Sequence, residues 1–293
     1  MIDIDKASDF MQTHARVIDR RRFELLTAGG DPDGAVAALA GYANPDGGFG
    51  WALEPDLRAA GSQPAGALHA FEVLEEIAPA TSPLAVRLCD WLESVSLADG
   101  GLPFALPGAA GPGSAPWWAG ADHSRSSLHI TSAVCGIAHC VARHDPAVAG
   151  HAWLARATAF CLREIAALER PPFAIALRFV LLFLDAVHDQ SDDAARELER
   201  LGAWIPKSGA IPVVGGAEGE QIRPLDLSPE PGRPLRALLD PEVIAADTRR
   251  LAGEQQDDGG WDVDWSPSSP AAVLEWRGYA TVSAVTILTA EHG

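Results

Sequence analysis

The chain has 293 residues, 47% of them hydrophobic, which is enough for a large core. Its 40 acidic and 22 basic side chains leave a net charge of −18, which argues against a nucleic-acid partner and an anionic membrane surface, since both need a basic face. Four cysteines do not make a disulfide framework in a chain this long, and Met1 to Lys6 lacks an apolar export segment, so a cytoplasmic location is expected.

Residues 7–28 read as a first helix with Ser8 as N-cap, carrying Arg20, Arg21 and Arg22 on a solvated face. Gly29-Gly30-Asp31-Pro32 stops it, and Asp33 to Tyr42 forms a short Ala-rich helix. A helix starts near Ser62-Gln63-Pro64, with proline where no amide donor is needed, and is apolar on much of its circumference. Ser82-Pro83 opens the next helix, which runs to Val95. A loop over 105–122 precedes a helix from about Ser124 to His144. Another helix spans 147–170, and Phe173 to His188 is apolar apart from Arg178 and Asp185, too short to span a bilayer. Asp192 to Leu201 is amphipathic, 205–235 is an irregular insertion, and helices follow over 235–253 and from Pro270 to Glu291. Strand signals are scarce. The fold class is therefore all-α.

A repeated turn punctuates these helices. It reads Asn44-Pro45-Asp46-Gly47-Gly48-Phe49-Gly50-Trp51, then Leu97-Ala98-Asp99-Gly100-Gly101-Leu102, then Gln256-Asp257-Asp258-Gly259-Gly260-Trp261. The gaps are 99 − 46 = 53 and 258 − 99 = 159, three times 53. Such a period marks a repeat architecture. Further copies are due near 152, where no turn motif is visible, and near 205, where Lys207-Ser208-Gly209-Ala210 is a degenerate one. Glycine supplies positive φ in such a turn and the aspartate bonds nearby amides, so Asp46, Asp99 and Asp258 read as structural. Each period holds about two helices, one amphipathic and one nearly all apolar. Five to six such hairpins, closed so that the apolar helices lie inside, make a single α/α toroid over residues 1–293. An open solenoid of the same pairs is the alternative; closure is preferred because the inner helices are too apolar to face an open groove.

Gln256 to Trp261 resembles the Gln-to-Trp repeat of squalene–hopene and related terpene cyclases, where Gln and Trp tie neighbouring helices together. Asp46 to Gly50 resembles the Gly-Gly-Phe turn of protein prenyltransferase β-subunits. The resemblance covers most of the chain as architecture. It implies a cavity inside the ring, near the segments leading from each turn into its inner helix.

Three stretches are implied to line that cavity. They are Trp51 and Glu54, Asp56 and Arg58 to Gln63; Trp117-Trp118 to Asp122-His123; and Asp262, Asp264 and Trp265 to Glu275-Trp276-Arg277. Helix N-termini favour anions, and aromatics stabilise a cation by cation–π contact. The simpler reading of single residues is that Trp117, Trp118, Trp265 and Trp276 pack loops, and that Glu275 and Arg277 pair. Asp262-Val263-Asp264-Trp265 has two acids of the cyclases' Asp-x-Asp-Asp motif, with Trp265 in place of a third. There is neither the prenyltransferases' Asp-x-Cys zinc motif nor an Asp-Asp-x-x-Asp/Glu magnesium motif. His129, Cys135, His139, Cys140 and His144 share one helix, where five donors do not converge on an ion.

The expected function is therefore binding of a small apolar, isoprenoid-type molecule in the ring, with cyclisation or transfer. Asp264, Asp56 or Glu54 would be the acid, and Arg58 and Arg277 would order carboxylates or hold a diphosphate. No cofactor is expected beyond magnesium for a diphosphate substrate. A carbohydrate-active toroid is the alternative, with Glu54/Asp56 facing Asp264/Glu275 across a glycosidic bond. A non-catalytic toroid binding a small molecule or a protein is the other.

Overall fold

A computed structural model describes residues 2–291. The chain is 57% helix with 13 α-helices and almost no sheet among the described residues, so it is all-α. The helices are α1 (Ile4–His14), α2 (Val17–Ala28), α3 (Pro32–Ala40), α4 (Pro64–Glu76), α5 (Pro83–Val95), α6 (Leu128–Ala142), α7 (Pro146–Ala149), α8 (Ala152–Ala166), α9 (Ala174–Val187), α10 (Asp192–Gly202), α11 (Pro224–Leu227), α12 (Pro241–Gly253) and α13 (Pro270–Ala290).

Local chemistry sets most boundaries. Proline stands in the first turn of α3, α4, α5, α12 and α13, where its missing N–H is no loss. Side chains of Asp31, Ser82, Ser127, Ser191, Asp240 and Ser269 accept from first-turn amides of their helices. The structure corrects three expected helices. The first is two, broken at Ala15-Arg16 and capped by Asp3 rather than Ser8. Residues 147–170 divide into α7 and α8 at Gly150-His151, where the His151 imidazole caps α8. The helix expected over 235–253 begins as a 3₁₀ turn and restarts at Asp240-Pro241. The insertion holds a two-stranded ribbon, β1 (Ile211–Pro212) antiparallel to β2 (Gln221–Ile222), followed by α11.

Helices α2, α4, α6 and α9 touch in that order, and α13 packs on α2. Helices α3, α5, α8 and α10 alternate with them along the chain and pack against them. The main core joins Phe49, Phe71, Leu88, Trp153, Phe183 and Leu201 across these pairs. A second core joins the two ends of the chain through Phe10, Met11, Trp261 and Val285. No helix of the described residues is long and apolar enough to cross a membrane.

The three Asp-Gly-Gly turns have one geometry. The carbonyls of Asn44, Leu97 and Gln256 accept from Gly47, Gly100 and Gly259, whose φ values are 95, 92 and 93°. Oδ1 of Asp46, Asp99 and Asp258 accepts from the amides of Gly48, Gly101 and Gly260. Ser62 and Ser126 hydroxyls also donate to Asp46 and Asp99, while Arg277 donates to Asp258. Each turn sits on the helix opening the next amphipathic position. Gly47 abuts the Arg87 carbonyl of α5, Gly100 the Arg156 carbonyl of α8, and Gly259 the Lys6 carbonyl of α1. A Cβ would clash with backbone at each, so glycine is required for close approach as well as for φ.

Gly209, with φ of 71°, accepts nothing but donates to the Pro206 carbonyl and lies against Val243 of α12, so Pro206–Ala210 is the degenerate copy. The copy due near 152 is absent, because α7 lengthens that unit. Residue 152 opens α8, and the chain reverses instead through Glu169-Arg170-Pro171-Pro172. Three units do lie between Asp99 and Asp258, but they are unequal. Gln256, which the resemblance implies as the tie, turns back to the Glu254 carbonyl. Its neighbour Gln255 makes the tie, exchanging bonds with the Asp3 backbone at the start of α1.

Candidate functional site

The loop after the first turn is held in a strained shape. Trp51 and Ala52 have φ values of 55 and 60°, a region that costs non-glycine residues energy. Arg16, ion-paired to Asp19, donates to the Ala52 and Leu53 carbonyls and fixes this bend. The bend delivers Glu54 and Asp56 into the protein, 9% and 2% exposed.

Asp56 joins three loops. Its Oδ1 accepts from the Ser268 amide at 2.9 Å and its Oδ2 from Trp276 Nε1 at 2.7 Å. Its carbonyl accepts from the Ala115 amide and from Trp118 Nε1. Its amide donates to Glu54 Oε1. Burial raises the Asp56 carboxyl, and the bonds from Ser268 and Trp276 oppose the rise.

Below this hub lies a charged network. His69 on α4 is bonded at Nε2 to Glu54 Oε2 (2.8 Å) and at Nδ1 to Glu72 Oε2 (2.9 Å). Tyr279 on α13 donates to Glu72 Oε1 at 2.8 Å. Arg22 on α2 forks onto Glu76 at 2.8 and 2.7 Å and lies over the Tyr279 ring. Burial alone would strip the His69 proton, but Glu72 and Glu54 outweigh it and push its pKa up to about 9. Burial likewise disfavours the Glu72 carboxylate, yet His69, Arg22 and the Tyr279 hydroxyl bring it down to about 2. At neutral pH the centre is an imidazolium between two carboxylates.

Two arcs of buried and partly buried aromatics flank the network. Trp118 stacks on Phe104 (4.8 Å between centroids), Phe104 meets His129 (5.4 Å), and His129 stacks on Phe179 (5.4 Å). On the other side Trp265 meets Trp276 edge-on (5.1 Å), and Trp276 meets Tyr279 (5.4 Å) and His69 (6.0 Å). Asp56 links the arcs, accepting from Trp118 of one and Trp276 of the other. Arg178 on α9 lies over the Phe179 ring at 5.2 Å. Among the described residues no group of three or more His, Cys, Asp or Glu is placed to hold a metal ion.

The structure brings Glu54, Asp56, Trp118, Trp265 and Trp276 together here. Gln63 is nearby and buried, bonding the Leu106 backbone in both directions. Arg58 and Glu275 close onto each other at 2.5 Å, so the expected Glu275–Arg277 pair is replaced. Arg277 holds Asp258 and Asp262 instead. Trp51 and Trp117 are about half exposed, and Asp122 and His123 are exposed. Asp122 caps its own turn at Ser124, and His123 bonds the Ala105 carbonyl. Asp264 is exposed, 3.5 Å from Arg223, with its carboxyl raised by the partial desolvation it does undergo. Cys135 and His139 gather around Thr158, apart from His129.

The sequence reading missed His69, Glu72, His129, Arg178 and Tyr279 as site residues. A signal existed for two of them. His69, Glu72 and Glu76 fall at i, i+3 and i+7 on the otherwise apolar α4, so one stripe of a buried helix is polar. No family model matches the chain, and no curated protein matches it either.

Proposed function

We propose that the chain is one α/α toroid of terpene cyclase/prenyltransferase type, and that its interior binds an apolar, isoprenoid-type ligand. Two observations support closure. The Asp-Gly-Gly turn after α12 seats on α1 as the earlier turns seat on α5 and α8, which makes α1 the next outer helix in a cycle. The inner series likewise passes from α13 to α2. The interior reading is carried by the two aromatic arcs, which come from different helices and are linked where Asp56 accepts from Trp118 and from Trp276. Their faces suit an apolar chain and favour positive charge that develops along it.

In this reading Glu54 and Asp56 hold the loops, since their oxygens are occupied by protein donors. Asp264 is the expected acid that remains accessible to a ligand, beside Arg223 and with its proton affinity raised. A thermal-shift and native mass-spectrometry screen of isoprenoid alcohols, acids, diphosphates and polyenes against oligosaccharides tests the proposal. An isoprenoid at a hundred times its Kd adds about 2.7 kcal/mol. The gain should shrink in Phe179→Leu and Trp265→Leu. Stabilisation by oligosaccharides alone would assign the site to sugars instead.

A further inference from the structure

Arg178 stands in the second turn of an apolar helix, against the Phe179 ring. Its Nε donates to the Asp226 carbonyl at 3.0 Å. It forms no ion pair among the described residues, whereas the other cations near the site are paired. Arg22 is held by Glu76, Arg58 by Glu275 and Arg223 by Asp264. Both terminal nitrogens of Arg178 are therefore left for another acceptor.

His129 packs on the same Phe179 ring, stacked on it, and meets Phe104 at a tilt. Its ring nitrogens make no hydrogen bond among the described residues. Burial, with Arg178 adding to it, holds the imidazole down at about 4, so it is neutral at pH 7 and carries one N–H. Arg178, His129, Phe104 and Phe179 all keep part of their surface accessible.

We propose that Arg178 and His129 together bind a single carboxylate, so that the ligand is an apolar monocarboxylic acid rather than a diphosphate. This rests on the interior-ligand reading above and specifies the head group. The guanidinium fork matches a carboxylate edge, and the imidazole N–H adds a third donor. A diphosphate carries more negative charge than one unpaired arginine offsets. Glu72, ionised and bonded to Tyr279 of the facing arc, opposes further negative charge.

Three probes with one tail test this by calorimetry at pH 7: geranic acid, geraniol and geranyl diphosphate. Charge-assisted bonds predict that the acid binds about 10- to 100-fold tighter than the alcohol. Arg178→Gln should abolish that preference while leaving geraniol affinity unchanged, and Arg178→Lys should retain part of it. His129→Phe should weaken the acid about fivefold and leave the alcohol alone. Thermal melts check that each variant is folded. Tighter binding of the diphosphate, or an acid preference that survives in folded Arg178→Gln, overturns the inference while the interior reading stands. Failure of all three probes on the wild-type protein overturns the interior reading and this inference with it.

Discussion

The His69 site makes a sharp prediction about stability and pH. Its imidazolium is bonded to two carboxylates, and its pKa stands at about 9 against an ordinary 6.5. A group whose folded pKa is raised contributes stability below its unfolded pKa, and that contribution is lost as pH rises through the folded value. The window is therefore pH 6.5 to about 9. At 1.36 kcal/mol per unit the contribution is about 3 kcal/mol. The lowered pKa of Glu72 is the same coupling seen from its partner and is not added. His69→Gln removes the proton-binding group while keeping an amide of similar reach. At pH 6 the variant should be about 3 kcal/mol less stable than wild type, and the gap should close by pH 10. Urea unfolding from pH 6 to 10, read by tryptophan fluorescence, measures it, since Trp276 lies against His69. Comparing the two proteins cancels titrations elsewhere. A gap that stays constant with pH, or an NMR titration of His69 near 6.5, would refute the reasoning.

Glu75 makes the opposite prediction. Burial, with Glu76 and Glu230 adding to it, raises its pKa to about 7. A raised carboxyl costs stability as pH climbs from 4.5 to 7. Glu75→Gln should then stabilise by about 1–3 kcal/mol at pH 8 and change little at pH 4, in denaturant melts. Asp56→Ala should cost about 2–5 kcal/mol, because it leaves the Ser268 amide and the Trp276 indole unpaired. Limited proteolysis should then cut within 51–62 and 262–269 first. Gly259→Ala should cost about 3 kcal/mol or more, since its φ is 93° and a Cβ would meet the backbone of Lys6 and Ala7. Gly253→Ala meets nothing and should gain up to about 1 kcal/mol, which separates the tight contact from a general effect of alanine. Thermal melts of the two variants would decide it.

The helical class and most helix starts could be read from residues alone, because Pro at the first turn and Ser or Asp before it act within four residues of chain. The Asp-Gly-Gly turns were legible for the same reason: φ of glycine and a bond from Asp to an amide two residues on are local. Boundaries failed where locality failed. The break at Ala15-Arg16 exists because Arg16 must reach Asp19 and the carbonyls of Ala52 and Leu53, some 36 residues away. The unit holding α7 kept its place in the count but not its length.

The site divides along the same line. The family resemblance pointed to acids and tryptophans following the turns, and Asp56, Trp118, Trp265 and Trp276 do meet. What each does was settled by partners far along the chain: Asp56 by Ser268 and Trp276, Arg58 by Glu275, His69 by Glu54. Arg178 is the clearest case. In the sequence it is an interruption in an apolar run. In the folded chain it is a cation against the Phe179 ring, bonded to a carbonyl rather than to a carboxylate. Charge pairing depends on which helices become neighbours, and no period in the sequence carries that information.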